Sequence, residues 1–190
     1  QGDAVESEHL KFLKIKSEVL SEFWGQDMYI AANVLLPEGY DKNPEARYPV
    51  IYLQGHYGES FGFSEALDND FSKWWVSDDA PRVIVISFRH ETPYYDDSYA
   101  VDSANVGPYG TAITEELMPA LDAQFRIVGE RWARTLTGCS TGGWIAMAHM
   151  VFYPDLYAGV FSMTQDPIDF HYFELVNIYE DTHASFRFSN

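Results

Sequence analysis

With a single cysteine, Cys139, among its 190 residues, the chain can form no internal disulfide and no zinc site built from several cysteines. Basic residues are also scarce: 12 Lys and Arg against 29 Asp and Glu give a formal net charge of −17. Phosphate backbones and anionic headgroups repel such a chain and no basic stripe offsets the repulsion, so neither nucleic acid nor membrane is an expected partner. Long hydrophobic runs are missing too. The longest, Trp144 to Phe152, is interrupted by His149 and falls well short of the roughly 20 residues a membrane-spanning helix needs. The chain opens on Gln1-Gly2-Asp3, with no initiator Met and no apolar leader, and reads as a processed protein or one whose start has been removed.

What is present is enough apolar material for one packed domain over 1–190: 46% of residues are hydrophobic and 16% aromatic, which excludes disorder. No repeat or low-complexity tract interrupts it. Residues 10–20 partly alternate apolar and polar, as a half-buried strand does, and residues 28–36 form a second, more apolar strand ending at Pro37-Glu38-Gly39. With no helix expected between them, these two should form an antiparallel hairpin at one edge of a sheet. Val50-Ile51-Tyr52-Leu53 and Val83-Ile84-Val85-Ile86 are short continuous apolar runs, typical of strands buried on both faces. The segment 63–75 between them reads as a helix or an ordered connection. Ile113, Leu117, Leu121 and Phe125 recur every fourth residue and predict a helix over 111–125, with Pro119 kinking it or dividing it in two. A strand from Arg134 to Thr137, a helix from Gly142 to Phe152 and a strand from Tyr157 to Met163 complete the pattern. Buried strands alternating with helices imply an α/β fold with a mostly parallel sheet covered on both faces.

The chemistry is concentrated at Gly138-Cys139-Ser140-Thr141-Gly142, a G-x-S-x-G pattern with a strand before it and a helix after it. A serine on such a sharp strand-to-helix turn needs small residues two before and two after it, which Gly138 and Gly142 supply, while Gly143 lets the helix pack closely. At the helix N-terminus the N–H of Thr141 would face a developing oxyanion, and Ser140 would be the nucleophile. A second oxyanion donor is expected in the loop after an earlier central strand. Leu53-Gln54-Gly55-His56-Tyr57-Gly58 lies there, with Gly55 allowing the turn and the N–H of His56, or second to it Tyr57, as donor. Taken alone, this segment reads equally well as an ordinary strand-terminating loop.

Phe125 to Phe170 (FRIVGERWARTLTGCSTGGWIAMAHMVFYPDLYAGVFSMTQDPIDF), preceded by ELMPALDAQFR and, further upstream, YPVIYLQGHYG, resembles the esterase family that includes esterase D, the feruloyl esterases and the mycolyltransferases. The resemblance runs from about residue 27 to 170, and LSEFWGQDMYIAANVLLPEGY with DPIDF is similar to a bacterial subgroup of it. It implies a three-layer α/β-hydrolase fold, with Ser140 as nucleophile and His56 and Thr141 as oxyanion donors. The implied reaction is hydrolysis of a small-molecule or carbohydrate-linked carboxylic ester through an acyl-enzyme, without cofactor or metal. Family habit also implies a secreted or periplasmic setting.

In this family the acid follows the nucleophile and the histidine comes last, near the end of the domain. The sequence ends 50 residues after Ser140, so the usual acid and histidine are expected to lie beyond it. Within the sequence, Asp166 is the candidate acid and His171 the candidate base. Against them, Asp166 and Asp169 sit in a turn-like Asp-Pro-Ile-Asp, His171 reads as a loop histidine and His183 lies in a polar tail. His149 reads as a core residue and Cys139 as a small buried one. Tyr94, Tyr95 and Tyr99, with Trp74 and Trp75, are candidates for an aromatic or sugar pocket at the C-terminal edge of the sheet, or else packing anchors. Asp96, Asp97 and Asp102 lack the spacing of a calcium loop and read as solvated. Two rival functions remain: a non-catalytic hydrolase-like domain that binds carbohydrate or protein, and an acyltransferase using the same nucleophile.

Overall fold

The computed structural model describes residues 5–55, 61–172 and 176–182. Strand β1 (Leu10–Ser17) pairs antiparallel with β2 (Met28–Leu35), which pairs antiparallel with β4 (Ile84–Arg89). From β4 inward the sheet is parallel, through β3 (Val50–Gln54) and β7 (Arg134–Cys139) to β8 (Gly159–Met163), giving the order β1-β2-β4-β3-β7-β8. The mostly parallel sheet and its antiparallel edge pair are as the apolar runs imply.

One helix was not expected. After β1 the chain enters helix α1 (Glu18–Trp24), where the alternating pattern predicts strand up to residue 20. Its start and stop are local. Ser17 Oγ accepts the Leu20 N–H at 3.2 Å as an N-cap, Glu18 complements the helix dipole, and Gly25 ends the helix at φ 65°. Of the segment 63–75, only α2 (Asp70–Trp75) is helical; its Asn69 cap accepts the Ser72 N–H at 2.8 Å. Strands β5 (Asp102–Ser103) and β6 (Gly107–Pro108) form a small separate pair.

The helix foreseen around Pro119 begins with α3 (Tyr109–Thr111), widens into a π turn at Ala112–Leu117 and continues as α4 (Met118–Gln124). Proline has no N–H to donate and its ring needs room in the preceding turn, so the wider turn accommodates it without a break. Helix α5 (Thr141–Phe152) follows β7.

The main core lies on the face covered by the π turn, α4 and α5. It joins Tyr52, Ile84 and Ile86 of the central strands to Ile113, Leu117, Leu121, Ile145 and Tyr157. The opposite face carries a smaller cluster of Leu35, Trp75 and Val85, where Trp75 Nε1 donates to the Leu36 carbonyl at 2.8 Å. Trp75 therefore belongs to the core and Trp74 packs beside it at 6.1 Å, so neither lines the pocket foreseen for them. Among the described residues, no helix is long and apolar enough to cross a membrane.

His9, just before β1, ties three segments together. Its Nδ1 lies 3.0 Å from Glu65 Oε2, its Nε2 lies 3.3 Å from Glu38 Oε2, and its N–H donates to Glu65 Oε1 at 2.7 Å. Burial alone would lower its pKa, but the hydrogen bonds and charges of Glu65 and Glu38 outweigh this and raise it above 6.5. A raised histidine pKa contributes stability that is complete below pH 6.5 and lost as pH rises through the folded value. Urea unfolding midpoints should fall with rising pH in that window, and His9→Gln should remove the slope. Parallel curves for the two proteins would count against this coupling.

Candidate active site

The turn between β7 and α5 is held by contact with the neighbouring strand. A Cβ on Gly142 would overlap the Gln54 carbonyl oxygen at the end of β3 and come within 2.7 Å of the Gly55 carbonyl oxygen. One on Gly138 would overlap the Gly142 carbonyl and stand 2.7 Å from Gln54 O. A Cβ on Gly143 would lie 2.9 Å from the Met163 carbonyl. Only glycine fits at the two motif positions, because the obstructing atoms are backbone.

Ser140 occupies φ 55°, ψ −125°, a conformation rarely adopted by a residue with a side chain. Its N–H donates to Met163 O at 3.1 Å, and its carbonyl accepts from Trp144 N at 3.0 Å and from Asp166 N at 3.4 Å. Helix α5 therefore begins at the serine, and the segment after β8 folds against it.

Asp166 is brought to this point. Ser140 Oγ donates to Asp166 Oδ1 at 3.4 Å, and Thr141 Oγ1 and the Tyr99 hydroxyl donate to Oδ2 at 3.2 and 3.4 Å. His171 has a different partner: Asp169 Oδ1 accepts its backbone N–H at 3.0 Å and lies 2.8 Å from its Nδ1, while its ring packs on Tyr179. These bonds lower the pKa of Asp169. Among the described residues, Asp166 is the one side chain hydrogen-bonded to Ser140 Oγ, and no imidazole is. His56 and His183 lie outside the described residues.

Beside Thr141 a cavity of about 610 Å³ opens, lined by Tyr94, Tyr95, Asp96, Asp97 and Tyr99. All three tyrosines expected at this edge contribute. Tyr99 stands edge-on to Trp144, with ring centroids 5.2 Å apart. Burial, followed by the charges of Asp166 and Asp97, raises the pKa of the Tyr99 hydroxyl, which stays protonated and able to donate. Two of the three aspartates read as a loose cluster have separate tasks. Asp97 accepts the Tyr99 N–H at 2.6 Å, whereas Asp102 accepts Thr111 N and Oγ1 at 2.8 and 2.7 Å.

Cys139 is exposed, not buried, with Sγ 3.2 Å from Thr164 Oγ1. Strand alternation explains the difference. Leu136 and Gly138 face the main core, so Cys139 shares the opposite face with its cross-strand neighbour Met163, which is itself exposed. His149 is fully buried: Nε2 lies 2.7 Å from the Ala100 carbonyl and Nδ1 lies 3.0 Å from the Tyr157 hydroxyl. Burial pushes its pKa down to about 4. Sequence reasoning did not single out Trp144, His90 or Ser98, which shape the surroundings of Tyr99, because no spacing marks them.

A mostly parallel sheet with an antiparallel edge, helices on both faces and a serine on a glycine-flanked turn from strand to helix are the α/β-hydrolase fold. The family model described as Putative esterase matches residues 21–171, and the chain belongs to that family. A curated endo-1,4-beta-xylanase/feruloyl esterase from Xylanibacter ruminicola is 27% identical over 133 residues, which is 64% of this chain and 18% of that protein. A solved ferulic acid esterase superimposes with a TM-score of 0.65 at 22% identity, covering 83% of this chain and 60% of its own. A ferulic acid esterase from Anaeromyces mucronatus, solved with ferulic acid, gives 0.56 at 21% identity, covering 88% of this chain and 61% of its own. At these identities the structures carry the fold alone. The chain spans about three-fifths of these two solved esterases and less than a fifth of the curated relative.

The backbone contact predicts a large effect from a small change. Gly142→Ala should cost about 3 kcal/mol in urea unfolding, since neither carbonyl can retreat without moving the end of β3. A loss below about 0.5 kcal/mol, ordinary for a surface site, would show that the turn yields freely.

Proposed function

We propose that this chain bears the nucleophile of a serine carboxylic-ester hydrolase, with Ser140 attacking the ester carbonyl to form an acyl-enzyme. The carrying observation is Ser140 at φ 55°, ψ −125° on a turn that only glycines at 138 and 142 permit. That conformation lifts a serine out of the strand at the head of a helix, the arrangement of a nucleophile elbow. The N–H of Thr141, first residue of α5, is one donor to the oxyanion, and His56 is the candidate for the second. Attack requires the Ser140 proton to pass to a base, and an imidazole is the group matched to this task at neutral pH. Among the described residues, the bond of Ser140 Oγ to Asp166 makes that carboxylate an orienting group beside the nucleophile, and His171 is engaged by Asp169.

The cavity beside Thr141 has the size of a small-molecule site, and its tyrosines and carboxylates suit a hydroxylated aromatic acyl group or the sugar bearing it. The naming of a relative as a feruloyl esterase, and of a solved structure as a ferulic acid esterase in complex with ferulic acid, supports the aromatic acid. A second reading, a hydrolase-like domain that binds without catalysis, is favoured by one observation: among the described residues, no imidazole is hydrogen-bonded to Ser140 Oγ.

A fluorophosphonate probe separates the two. On the catalytic reading, mass spectrometry finds one adduct, at Ser140, and Ser140→Ala abolishes both the adduct and release of ferulate from methyl ferulate, by at least about a thousandfold for the latter. Should the wild-type chain stay unlabelled, a longer chain extending beyond Asn190 is probed: an adduct regained there keeps the catalytic reading, and a longer chain that binds methyl ferulate without labelling would sink it and leave the binding module. Added alcohol that diverts ferulate into a new ester would identify transfer in place of hydrolysis.

A further inference from the structure

Above the site, two consecutive non-glycine residues hold positive φ: Tyr99 at 59° and Ala100 at 54°. A Cβ makes this conformation unfavourable, so a pair of such residues persists only where the surroundings impose it. Two buried histidines on different elements impose it here. His149, within α5, has Nε2 at 2.7 Å from the Ala100 carbonyl. A carbonyl can only accept, so Nε2 carries the proton and Nδ1 accepts from the Tyr157 hydroxyl at 3.0 Å. His90, immediately after β4, has Nδ1 at 2.9 Å from Ser98 Oγ, and the Ser98 N–H points at the same nitrogen at 3.4 Å. An N–H can only donate, so Nδ1 of His90 accepts. Ser98 Oγ in turn accepts the Ala100 N–H at 3.2 Å. Both peptide groups of Ala100 are thus fixed, one from the sheet side and one from the helix side.

The turn directs Tyr99 into the candidate site. Its ring stands edge-on to Trp144, its hydroxyl reaches Asp166 at 3.4 Å, and it lines the cavity with Thr141. We propose that His90 and His149 are positioning residues, which clamp the strained Tyr99–Ala100 turn and so set the tyrosine wall of the substrate pocket. The proposal rests on the reading of that pocket as the site for the aromatic acid or its sugar. Burial, the leading influence on each, lowers the pKa of both imidazoles and keeps them neutral, in the state the two bonding patterns require. Their role is distinct from catalysis, since each bonds the loop and neither is hydrogen-bonded to Ser140.

The test is titration of the full chain with methyl ferulate by calorimetry, every protein, the otherwise wild-type one included, carrying Ser140→Ala so that the ester is bound and not consumed. It compares wild type with His149→Leu, Ser98→Ala and the double variant His149→Leu/Ala100→Gly, each checked for folding by circular dichroism. The clamp predicts that the two single variants raise the dissociation constant about tenfold or more. Glycine adopts φ near 54° without strain, so Ala100→Gly should recover most of the loss in the His149→Leu background. Should His149→Leu not fold, Ser98→Ala carries the test, since it removes one oxygen and little volume, with Ser98→Ala/Ala100→Gly as its rescue. Folded single variants that bind as wild type does would overturn the clamp while leaving the pocket reading intact. Weakened binding that glycine does not restore would also overturn it, by showing a general loosening of the core. A wild-type chain that does not bind methyl ferulate would remove the pocket reading, and the proposal with it.

Discussion

The approach of the β7–α5 turn to the end of β3 governs the geometry of the whole site. Gly142 and Gly138 bring the turn against the Gln54 carbonyl, closer than any side chain allows. This contact sets where α5 begins relative to the central strands. Because the helix starts there, Ser140 takes its unusual dihedral angles and Thr141 becomes the first helical residue. The cost of holding Ser140 at positive φ is offset by bonds to Met163 O, Trp144 N and Asp166 N, which join β8, α5 and the segment that follows β8. Moving any one of these elements would change the direction of the serine.

Long-range order was more legible in the sequence than local order at its edges. Continuous apolar runs identified β3 and β4 because strands buried on both faces have no polar side to show, and the glycines at 138 and 142 marked the turn because sterics leave no alternative. Helix α1 escaped notice although its signals were present. Ser17, Glu18 and Gly25 form a start and a stop, but the alternation of Leu13, Ile15 and their neighbours runs on into Val19 and Leu20 and masks them as continuing strand. Cys139 departs from expectation for a related reason. Adjacency to a buried glycine says nothing about a strand residue's own face, since neighbours point in opposite directions.

The site was partly legible, and its limits are physical. Ser140, Thr141 and the two glycines are contiguous, so spacing alone places them. Tyr99 and Asp166 lie far from them in sequence, and loop conformations that no periodicity encodes bring Asp166 to the serine and Tyr99 to Asp166. The two nearby carboxylates divide in a way that composition could not show: Asp166 turns to Ser140 and Thr141, Asp169 to His171. Trp74 and Trp75 were candidates by type, but the indole N–H of Trp75 finds its partner in the Leu36 carbonyl on the other face of the sheet.

The charge around Ser140 bears directly on what the site can do. A carboxylate 3.4 Å from the serine oxygen opposes formation of an alkoxide there, because two negative charges would stand side by side at half-buried positions. The same carboxylate favours any proton acceptor that becomes positive as it works, which is what an imidazole does. A lone carboxylate gains nothing by taking the serine proton, since its own basicity is far below that of an alkoxide. The tyrosine hydroxyl on Asp166 and the acidic lining of the cavity add to this preference. On the proposed reading, chemistry at Ser140 calls for a neutral base that ends cationic beside Asp166, and the oxyanion calls for backbone N–H donors, that of Thr141 at the head of α5 among them.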